Sequence, residues 1–168
     1  MIIRVSEIPE EGLRLEGPAA FPEPFQDGTW RLEDVELAIE KDGDVVFVHG
    51  HVRSSVPQVC SRCLESYDAT VDAPVETRLV PAPARGEERE LGLDDLETDV
   101  YDHDQIDLNA LLETETTLGL PMKPLCREEC RGLCPTCGAS RNAAPCDCAP
   151  AADPRWSPLK GLADRLSK

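Results

Sequence analysis

The sequence is poor in aromatic residues and contains no long apolar run. Only 4% of its 168 residues are Phe, Trp or Tyr, so the length suffices for one domain but the core is thin in large side chains. No segment reaches the roughly 18 consecutive apolar residues of a membrane-spanning helix, and residues 1–12 lack the apolar run of a signal peptide. We therefore expect a cytoplasmic protein that does not contact a membrane.

Positive charge is also scarce. The net charge is −16 at pH 7, which argues against a generic nucleic-acid-binding protein, because phosphate neutralisation needs a basic surface. The imbalance is uneven: residues 1–118 carry 9 Lys and Arg against 28 Asp and Glu, whereas residues 119–168 carry 8 against 5. Any RNA contact would therefore be local, and the acidic body suits a basic partner or simply confers solubility.

The common catalytic motifs are missing. The sequence contains no Gly-x-Ser-x-Gly elbow, no phosphate-binding glycine loop and no carboxylate pair that stands out from the general acidity. We therefore predict a protein that is not an enzyme and has no small-molecule substrate.

Eight cysteines are the main chemical feature that is present. Six lie between residues 125 and 148, where the Cys-Pro-Thr-Cys-Gly motif at 134–138 is the sharpest signal, and Cys60 and Cys63 form an upstream pair. Thiolates suit tetrahedral Zn(II), and a Cys-x-x-Cys turn can bring two sulfurs to one ion. In a reducing cytosol, clustered cysteines are more often metal ligands than disulfides.

All eight thiols are predicted ligands of one or two Zn(II) ions: Cys60, Cys63, Cys126, Cys130, Cys134, Cys137, Cys146 and Cys148. The preferred arrangement joins the 60/63 pair with Cys126 and Cys130 at one ion and the last four cysteines at a second. The alternative places the four cysteines of 126–137 at one ion and pairs 60/63 with 146/148. The spacing does not separate these two arrangements.

Alternation of apolar and polar residues predicts short strands at 2–5 and 12–16 and an antiparallel meander over 30–40, 45–57 and 67–80. An Asp-Gly turn joins the first two meander strands, and the alternation slips once near Asp34. The Cys60/Cys63 pair lies in the hairpin between the second and third strands. Residues 81–104 are predicted to form a solvated, partly disordered acidic loop, with an acidic lure for a basic protein as the alternative.

A helix is predicted from its N-cap, Asp107, to Leu118, where Gly119 and Pro121 stop it. One face for docking on the sheet would consist of Leu108, Leu111, Leu112 and Leu118. Ser157 and Pro158 are a good start for a short final helix.

The predicted fold class is α+β, an antiparallel β meander with one packed helix and a Cys-rich, zinc-ribbon-like C-terminal segment that ends in a short helix. Residues 1–125 would form the β-rich body with the acidic loop (about 81–104) and the helix (about 107–118). Residues 126–168 would form a zinc-binding tail packed on this body within one structural domain.

With these motifs placed, the chain resembles the YceD family of large ribosomal RNA subunit accumulation proteins from about residue 30 onward. The resemblance is carried by Cys60-Ser61-Arg62-Cys63-Leu64, Leu118-Gly119-Leu120-Pro121, residues 124–126 and 130–138, the pair Cys146/Cys148, Asp153-Pro154-Arg155 and residues 158–162. It departs at residues 139–142, where family members usually have an Asn-Leu-Asn-like stretch and this chain has Ala-Ser-Arg-Asn.

The resemblance implies a non-enzymatic role in 23S rRNA accumulation and large-subunit assembly. The implied partner is the large-subunit precursor, through its 23S rRNA or a basic ribosomal protein. Candidate phosphate contacts are then Arg127, Arg131, Arg141, Arg155, Lys160, Arg165 and Lys168. Two alternatives are an acidic, zinc-stabilised adaptor for a basic client unrelated to ribosomes and a thiol oxidoreductase using the 60/63 pair.

Overall fold

The computed structural model describes residues 1–83, 92, 98–149 and 155. Its elements are β1 (Ile2–Arg4), β2 (Leu13–Glu16), β3 (Arg31–Asp42), β4 (Val45–Val59), β5 (Ser66–Pro81), β6 (Thr98–Tyr101), β7 (Gln105–Asp107) and α1 (Leu108–Leu118), with 3-10 turns at Val5–Glu7 and Pro18–Ala20. Within these residues β2 to β6 form one sheet in sequence order, and β1 pairs with β7 in a second sheet. The predicted combination of a largely antiparallel sheet with one main helix is confirmed.

β3 and β4 form the hairpin that the alternation predicts. Asp42 pairs with Val45, so the turn consists of two residues, the first of which, Gly43, adopts a φ of +61°. The register shifts between Leu32 and Asp34, where the alternation slips in the sequence. A β-bulge therefore explains the break in the pattern.

β4 is longer than predicted, because it continues through Pro57 to Val59. The last residue of β4 that pairs with β3 is Ser55, opposite Arg31, so Pro57 lies beyond this ladder. Its missing N–H therefore costs no hydrogen bond to β3.

Buried side chains recur at alternate positions of the long strands, as a half-buried sheet requires. The positions are Val35, Leu37 and Ile39 in β3, Val46 and Val48 in β4, and Val71, Ala73 and Val75 in β5. Phe21 and Phe25, from the segment between β2 and β3, are also buried in this cluster. Most of the core is thus built from aliphatic side chains, in keeping with the scarcity of aromatics.

The predicted helix is confirmed as α1, which packs against β5. The side chain of Asp107 caps it by accepting hydrogen bonds from the backbone N–H groups of Asn109 and Ala110. The buried face was predicted wrongly at one position: Leu118 is 74% exposed, whereas Thr116 is fully buried. The buried row continues by steps of four residues from Leu108 and Leu112 to Thr116, and Leu118 is the last residue before the chain leaves the helix.

The prediction of a continuous loop over 81–104 is wrong at its C-terminal end. Thr98–Tyr101 forms β6, which pairs in parallel with β5, and the buried Tyr101 donates its hydroxyl to the carbonyl of Asp44 at 2.8 Å. Residues 84–91 and 93–97 of this predicted loop lie outside the described residues. The predicted final helix after Ser157 lies outside them as well.

The chain divides into two compact units. The first consists of Met1–Gln58 with Ser66–Pro124 and holds the sheets and α1; the second consists of Val59–Glu65 with the described residues from Leu125 on. All eight cysteines belong to the second unit, including the pair that the sequence places in the hairpin between β4 and β5. Packing of the tail on the body as one domain stays a prediction.

Among the described helices, none is both long enough and apolar enough to cross a lipid bilayer.

Candidate functional site

The Cys60/Cys63 pair lies on a tight turn that two backbone hydrogen bonds close. The N–H of Leu64 donates to the carbonyl of Cys60 at 2.9 Å, and the N–H of Cys60 donates to the carbonyl of Glu65 at 2.9 Å. Leu64 has a φ of +61°, a left-handed conformation that is uncommon for a residue with a side chain. The turn places both thiols at one end of the loop.

The Cys134/Cys137 pair repeats this turn residue by residue. The N–H of Gly138 donates to the carbonyl of Cys134 at 2.9 Å, and the N–H of Cys134 donates to the carbonyl of Ala139 at 2.8 Å. Gly138 has a φ of +73°, a left-handed conformation that glycine adopts without steric cost. The equivalent left-handed position in the first turn is Leu64, where the sequence has no glycine to signal it.

The first thiol cluster consists of Cys60, Cys63, Cys126 and Cys130, whose four sulfur atoms all lie within 4.8 Å of one another. The sulfurs of Cys60 and Cys130 are 3.7 Å apart, and so are those of Cys63 and Cys126. A tetrahedral zinc site with bonds of about 2.3 Å places its sulfurs about 3.8 Å apart. The dimensions of the cluster and its all-thiol donor set therefore fit one zinc ion.

The second thiol cluster consists of Cys134, Cys137, Cys146 and Cys148, and its sulfurs likewise lie within 4.8 Å of one another. It is more accessible than the first: Cys134 is buried, but Cys137 is exposed and Cys146 and Cys148 are half-buried. Only Cys126 of the first cluster is more than slightly exposed. The two clusters therefore offer the same donors with different access to solvent.

This grouping is the preferred arrangement of the sequence analysis. The structure does not form the alternative, in which the four cysteines of 126–137 share one ion. Hydrogen bonds join the upstream turn to the loop at 126–133, and the spacing of the cysteines alone could not reveal them. Metal binding by these residues remains a prediction.

Arg62, inside the Cys60-x-x-Cys63 turn, makes these contacts. Its guanidinium donates to the carbonyls of Glu128 and Cys130 at 3.2 and 2.9 Å, and its own carbonyl accepts the N–H of Leu133 at 3.1 Å. Gly132 lies against the same carbonyl with a φ of +67°, and a Cβ at this position would stand 2.8 Å from the Arg62 oxygen. The Cys130-Arg131-Gly132-Leu133-Cys134 segment can approach Arg62 this closely only because it contains glycine.

Hydrogen bonds to sulfur favour thiolate in the first cluster. Backbone N–H groups at Cys126 and Cys63 lower the pKa of Cys60 to about 6. The amide of Asn142 lowers the pKa of Cys130. The N–H at Glu65 lowers the pKa of Cys63, but burial and the neighbouring thiols, Cys60 first, raise it to about 12 overall. The cluster thus combines thiolates with thiols, whose protons a bound cation would displace.

The second cluster has the same asymmetry. Backbone N–H groups at Cys137 and Thr136, in the tight turn, lower the pKa of Cys134 to about 6. The neighbouring Cys137 thiol and burial raise the pKa of Cys148 to about 12. In both clusters the pKa of the first cysteine of the Cys-x-x-Cys turn is lowered to about 6, by N–H groups at Cys126 and Cys63 for Cys60 and by N–H groups of its own turn for Cys134.

Asn142 contacts the first thiol cluster but was not predicted as a site residue. Its side-chain NH₂ donates to the sulfur of Cys130 at 3.3 Å, and its side-chain oxygen accepts the N–H of Arg131 at 2.8 Å. The N–H of the preceding Arg141 donates to the carbonyl of Gly132 at 2.9 Å. Asn142 is the last residue of the stretch in which the chain departs from the usual family pattern, and this departure was the only available signal.

Three of the seven predicted phosphate contacts come together beside the first thiol cluster. They line a cleft of about 320 Å³, here called the arginine cleft, formed by Arg127, Glu129, Arg131, Arg141 and Asn142. Arg155 is described but does not line this cleft. Lys160, Arg165 and Lys168 lie outside the described residues.

Comparisons with known proteins give one family and several relatives. The family described as large ribosomal RNA subunit accumulation protein YceD matches residues 48–163. The chain is similar to an uncharacterized protein of Mycobacterium tuberculosis and to one of Mycobacterium bovis, each 34% identical over 129 residues, 76% of this chain and 60% of the relative. An uncharacterized protein of Mycobacterium leprae is 29% identical over 130 residues, 77% of this chain and 58% of the relative.

The chain therefore spans about three fifths of the length of the curated relatives that it matches. No solved structure gives a significant match.

Proposed function

Because the chain belongs to the family of large ribosomal RNA subunit accumulation proteins called YceD, we propose that it is a non-enzymatic, cytoplasmic factor that supports 23S rRNA accumulation and large-subunit assembly. The observation that carries this proposal is the extent of the family match, since residues 48–163 include all eight cysteines and the arginine cleft. The proposed partner is a large-subunit precursor.

Removal of the gene tests the role in the cell. The ratio of 23S to 16S rRNA is expected to fall in the deletion strain and to recover when the wild-type chain is supplied. The tagged protein is expected to sediment with large-subunit precursors in a sucrose gradient. An unchanged ratio, together with a profile confined to the top of the gradient, contradicts the proposal.

Each thiol cluster is proposed to bind one Zn(II) ion, which would have a structural role. Support comes from the four-sulfur donor sets, the 3.7 Å separations of sulfur atoms in the first cluster and the N–H groups directed at the Cys60 and Cys134 sulfurs. Bound zinc would join the turn at 60–63 to residues 126–130 and would join the turn at 134–137 to residues 146–148. Native mass spectrometry is expected to show two zinc ions per chain; a mass equal to that of the bare chain, or one containing iron, contradicts this assignment.

The second candidate function is an adaptor that recruits a basic client unrelated to ribosomes. The observation that favours it is charge, since residues 1–118 carry a net −19. Crosslinking in cells distinguishes the two candidates. Repeated recovery of one basic, non-ribosomal protein favours the adaptor, and recovery of large-subunit proteins and 23S rRNA favours the assembly factor.

A further inference from the structure

On the premise of the proposed role in large-subunit assembly, we propose that the arginine cleft is an RNA phosphate-binding site that does not read base sequence. Arg127, Arg131 and Arg141 bind the phosphates, and the first thiol cluster holds these three residues in place.

The guanidinium groups of the cleft are available to an external anion. Arg127, Arg131 and Arg141 are all exposed, and in the part of the chain that the structure describes none of them forms an ion pair. Arginines of the sheet behave differently: Arg31 pairs with Asp68 at 3.0 Å and Arg53 with Asp72 at 2.6 Å. With respect to the residues that the structure describes, the cleft arginines thus keep their positive charge unpaired in a protein whose net charge is −16.

The chemistry of the cleft favours phosphate over bases. A guanidinium presents paired N–H donors that match two phosphate oxygens. Asn142, the side-chain amide that lines the cleft among the described residues, already donates to the Cys130 sulfur and accepts the Arg131 N–H. Among the described residues, no aromatic side chain lines the cleft, so these residues offer no surface on which a base could stack. Contacts of this kind position the nucleic acid without selecting its sequence.

All three arginines are connected to the first thiol cluster through the backbone. Arg127 and Arg131 directly follow Cys126 and Cys130, and Asn142 bridges the Cys130 sulfur and the Arg131 N–H. Arg141 precedes Asn142 and is held by the carbonyl of Gly132. The position of the cleft therefore depends on an intact cluster, and zinc removal is expected to weaken RNA binding without any change in the arginines themselves.

Fluorescence anisotropy of the full-length, zinc-loaded chain tests this site. The probes are two labelled single-stranded RNAs of about 20 nucleotides with unrelated sequences, titrated between about 50 and 200 mM salt. The test variant carries Arg127→Gln, Arg131→Gln and Arg141→Gln. The matched control carries Arg4→Gln, Arg14→Gln and Arg78→Gln, which removes the same charge from exposed positions of β1, β2 and β5.

The wild-type chain is expected to bind both probes with affinities within about threefold of each other. The cleft variant is expected to lose at least about tenfold in affinity at low salt, and its slope of log affinity against log salt to fall by about 2, as three phosphate contacts on a single strand require. The control variant is expected to stay within about threefold of the wild type, because it leaves the cleft unchanged.

Glu129→Gln provides a second test that does not depend on the folding of the triple variant. Among the described residues that line the cleft, Glu129 alone carries a carboxylate, so its neutralisation is expected to tighten RNA binding by about twofold or more. Unchanged affinity in Glu129→Gln overturns the proposal. It is also overturned if the cleft variant binds RNA like the wild type, or if poly-glutamate, a polyanion without phosphate, displaces the probe at comparable charge concentration.

Arginines that only offset the charge of the metal-bound thiolates would give a different result. The cleft variant would then lose zinc in native mass spectrometry, and Glu129→Gln would leave RNA binding unchanged. Failure of the assembly role is also distinguishable. If the cleft variant loses RNA binding in vitro but restores normal 23S rRNA levels in the deletion strain, the site stands and the assembly role fails. If the variant binds RNA normally but does not restore those levels, the cleft assignment fails.

Discussion

Gly132 shows how one backbone position controls the first thiol cluster. Its φ of +67° is strained for any residue with a side chain, and a Cβ would stand 2.8 Å from the carbonyl oxygen of Arg62. Gly138 has a similar φ of +73°, but apart from its chain neighbours no described residue has an atom within 4 Å of its would-be Cβ. Both positions would strain the backbone of a residue with a side chain, but only Gly132 would also bring a Cβ into steric conflict. Comparing the two glycines therefore separates the cost of strain from the cost of the clash.

Gly132→Ala is expected to destabilise the second unit by about 2–3 kcal/mol, because the left-handed conformation costs about 1–2 kcal/mol and the contact with Arg62 adds to it. Gly138→Ala, the matched control, is expected to lose only the strain, about 1–2 kcal/mol. Urea unfolding gives the two losses, and zinc retention under a chelator reports on the first cluster. Equal losses in the two variants would show that the Arg62 contact relaxes without cost.

Ionisation of Glu115 in α1 is expected to make the stability of the folded state depend on pH. Burial raises the pKa of its carboxyl group, and the charge of Asp99 raises it further. The folded state thus disfavours the ionised form, and this penalty is present at neutral pH but disappears as pH falls below the unfolded value of about 4.3. Glu115→Gln is therefore expected to raise Tm at pH 7 and to leave it unchanged near pH 4.

Thermal unfolding at several pH values measures this effect, with Glu76→Gln on the exposed side of β5 as the control. Glu76 is exposed, so the control removes the same negative charge but no partly buried carboxyl group. A Tm difference between Glu115→Gln and wild type that grows as pH falls would have the wrong sign for a carboxyl whose pKa is raised.

At the scale of elements, one buried polar contact connects α1 to β4. The hydroxyls of Ser54 and Thr116 are 3.2 Å apart, and both side chains are buried. Thr116→Val leaves the Ser54 hydroxyl without this partner and is expected to cost about 1–3 kcal/mol, even though the replacement is similar in volume. The double variant Ser54→Ala with Thr116→Val removes both hydroxyls.

A double-mutant cycle measures the coupling of this pair by chemical denaturation. The double variant is expected to lose less stability than the two single variants together, since neither hydroxyl is then left unpaired. Strict additivity of the two losses would show that the hydroxyls do not interact in the folded state.

Local signals explain which elements were predictable. The Asp-Gly turn, the alternation of β3 and the Asp107 cap each act within a few residues, and all three predictions are confirmed. β6 and β7 were missed, because strands of four and three residues within an acidic stretch show no usable periodicity. These two strands form through pairing with earlier parts of the chain. β7 pairs with β1 near the N-terminus, and β6 pairs in parallel with β5.

The candidate site likewise has features that local sequence predicts and features that it does not. The Cys-x-x-Cys turns and the identity of all eight donors were visible in the sequence, because such turns are local. The assignment of donors to clusters depended on the Arg62 contacts, and the arginine cleft depended on the Asn142 bridge between Cys130 and Arg131. Neither set of contacts belongs to a spacing pattern of the cysteines, so spacing could not decide between the two arrangements.

At the scale of the whole molecule, the two units have different sources of stability. The first unit holds a continuous cluster of buried aliphatic side chains from β3, β4, β5 and α1. The second unit contains both thiol clusters, and its buried side chains include Cys60, Cys63, Cys130 and Cys134. In the first unit the stability comes from apolar burial. In the second unit it would come from four sulfur–zinc bonds at each cluster, since structural zinc contributes on the order of 10 kcal/mol to folding.

Metal removal is therefore expected to affect the units unequally. After chelation under reducing conditions, amide hydrogen exchange should accelerate strongly in residues 59–65 and 125–149, whereas β3 and β4 away from the Cys60 turn should keep most of their protection. Restored zinc should restore slow exchange, and magnesium at the same concentration should not, because thiolates bind it poorly. Unchanged exchange in residues 125–149 would show that the thiol clusters need no metal to hold their shape. Equal loss of protection in β3 and β4 would show that the sheet cannot fold without the metal-bound unit, in spite of its own buried core.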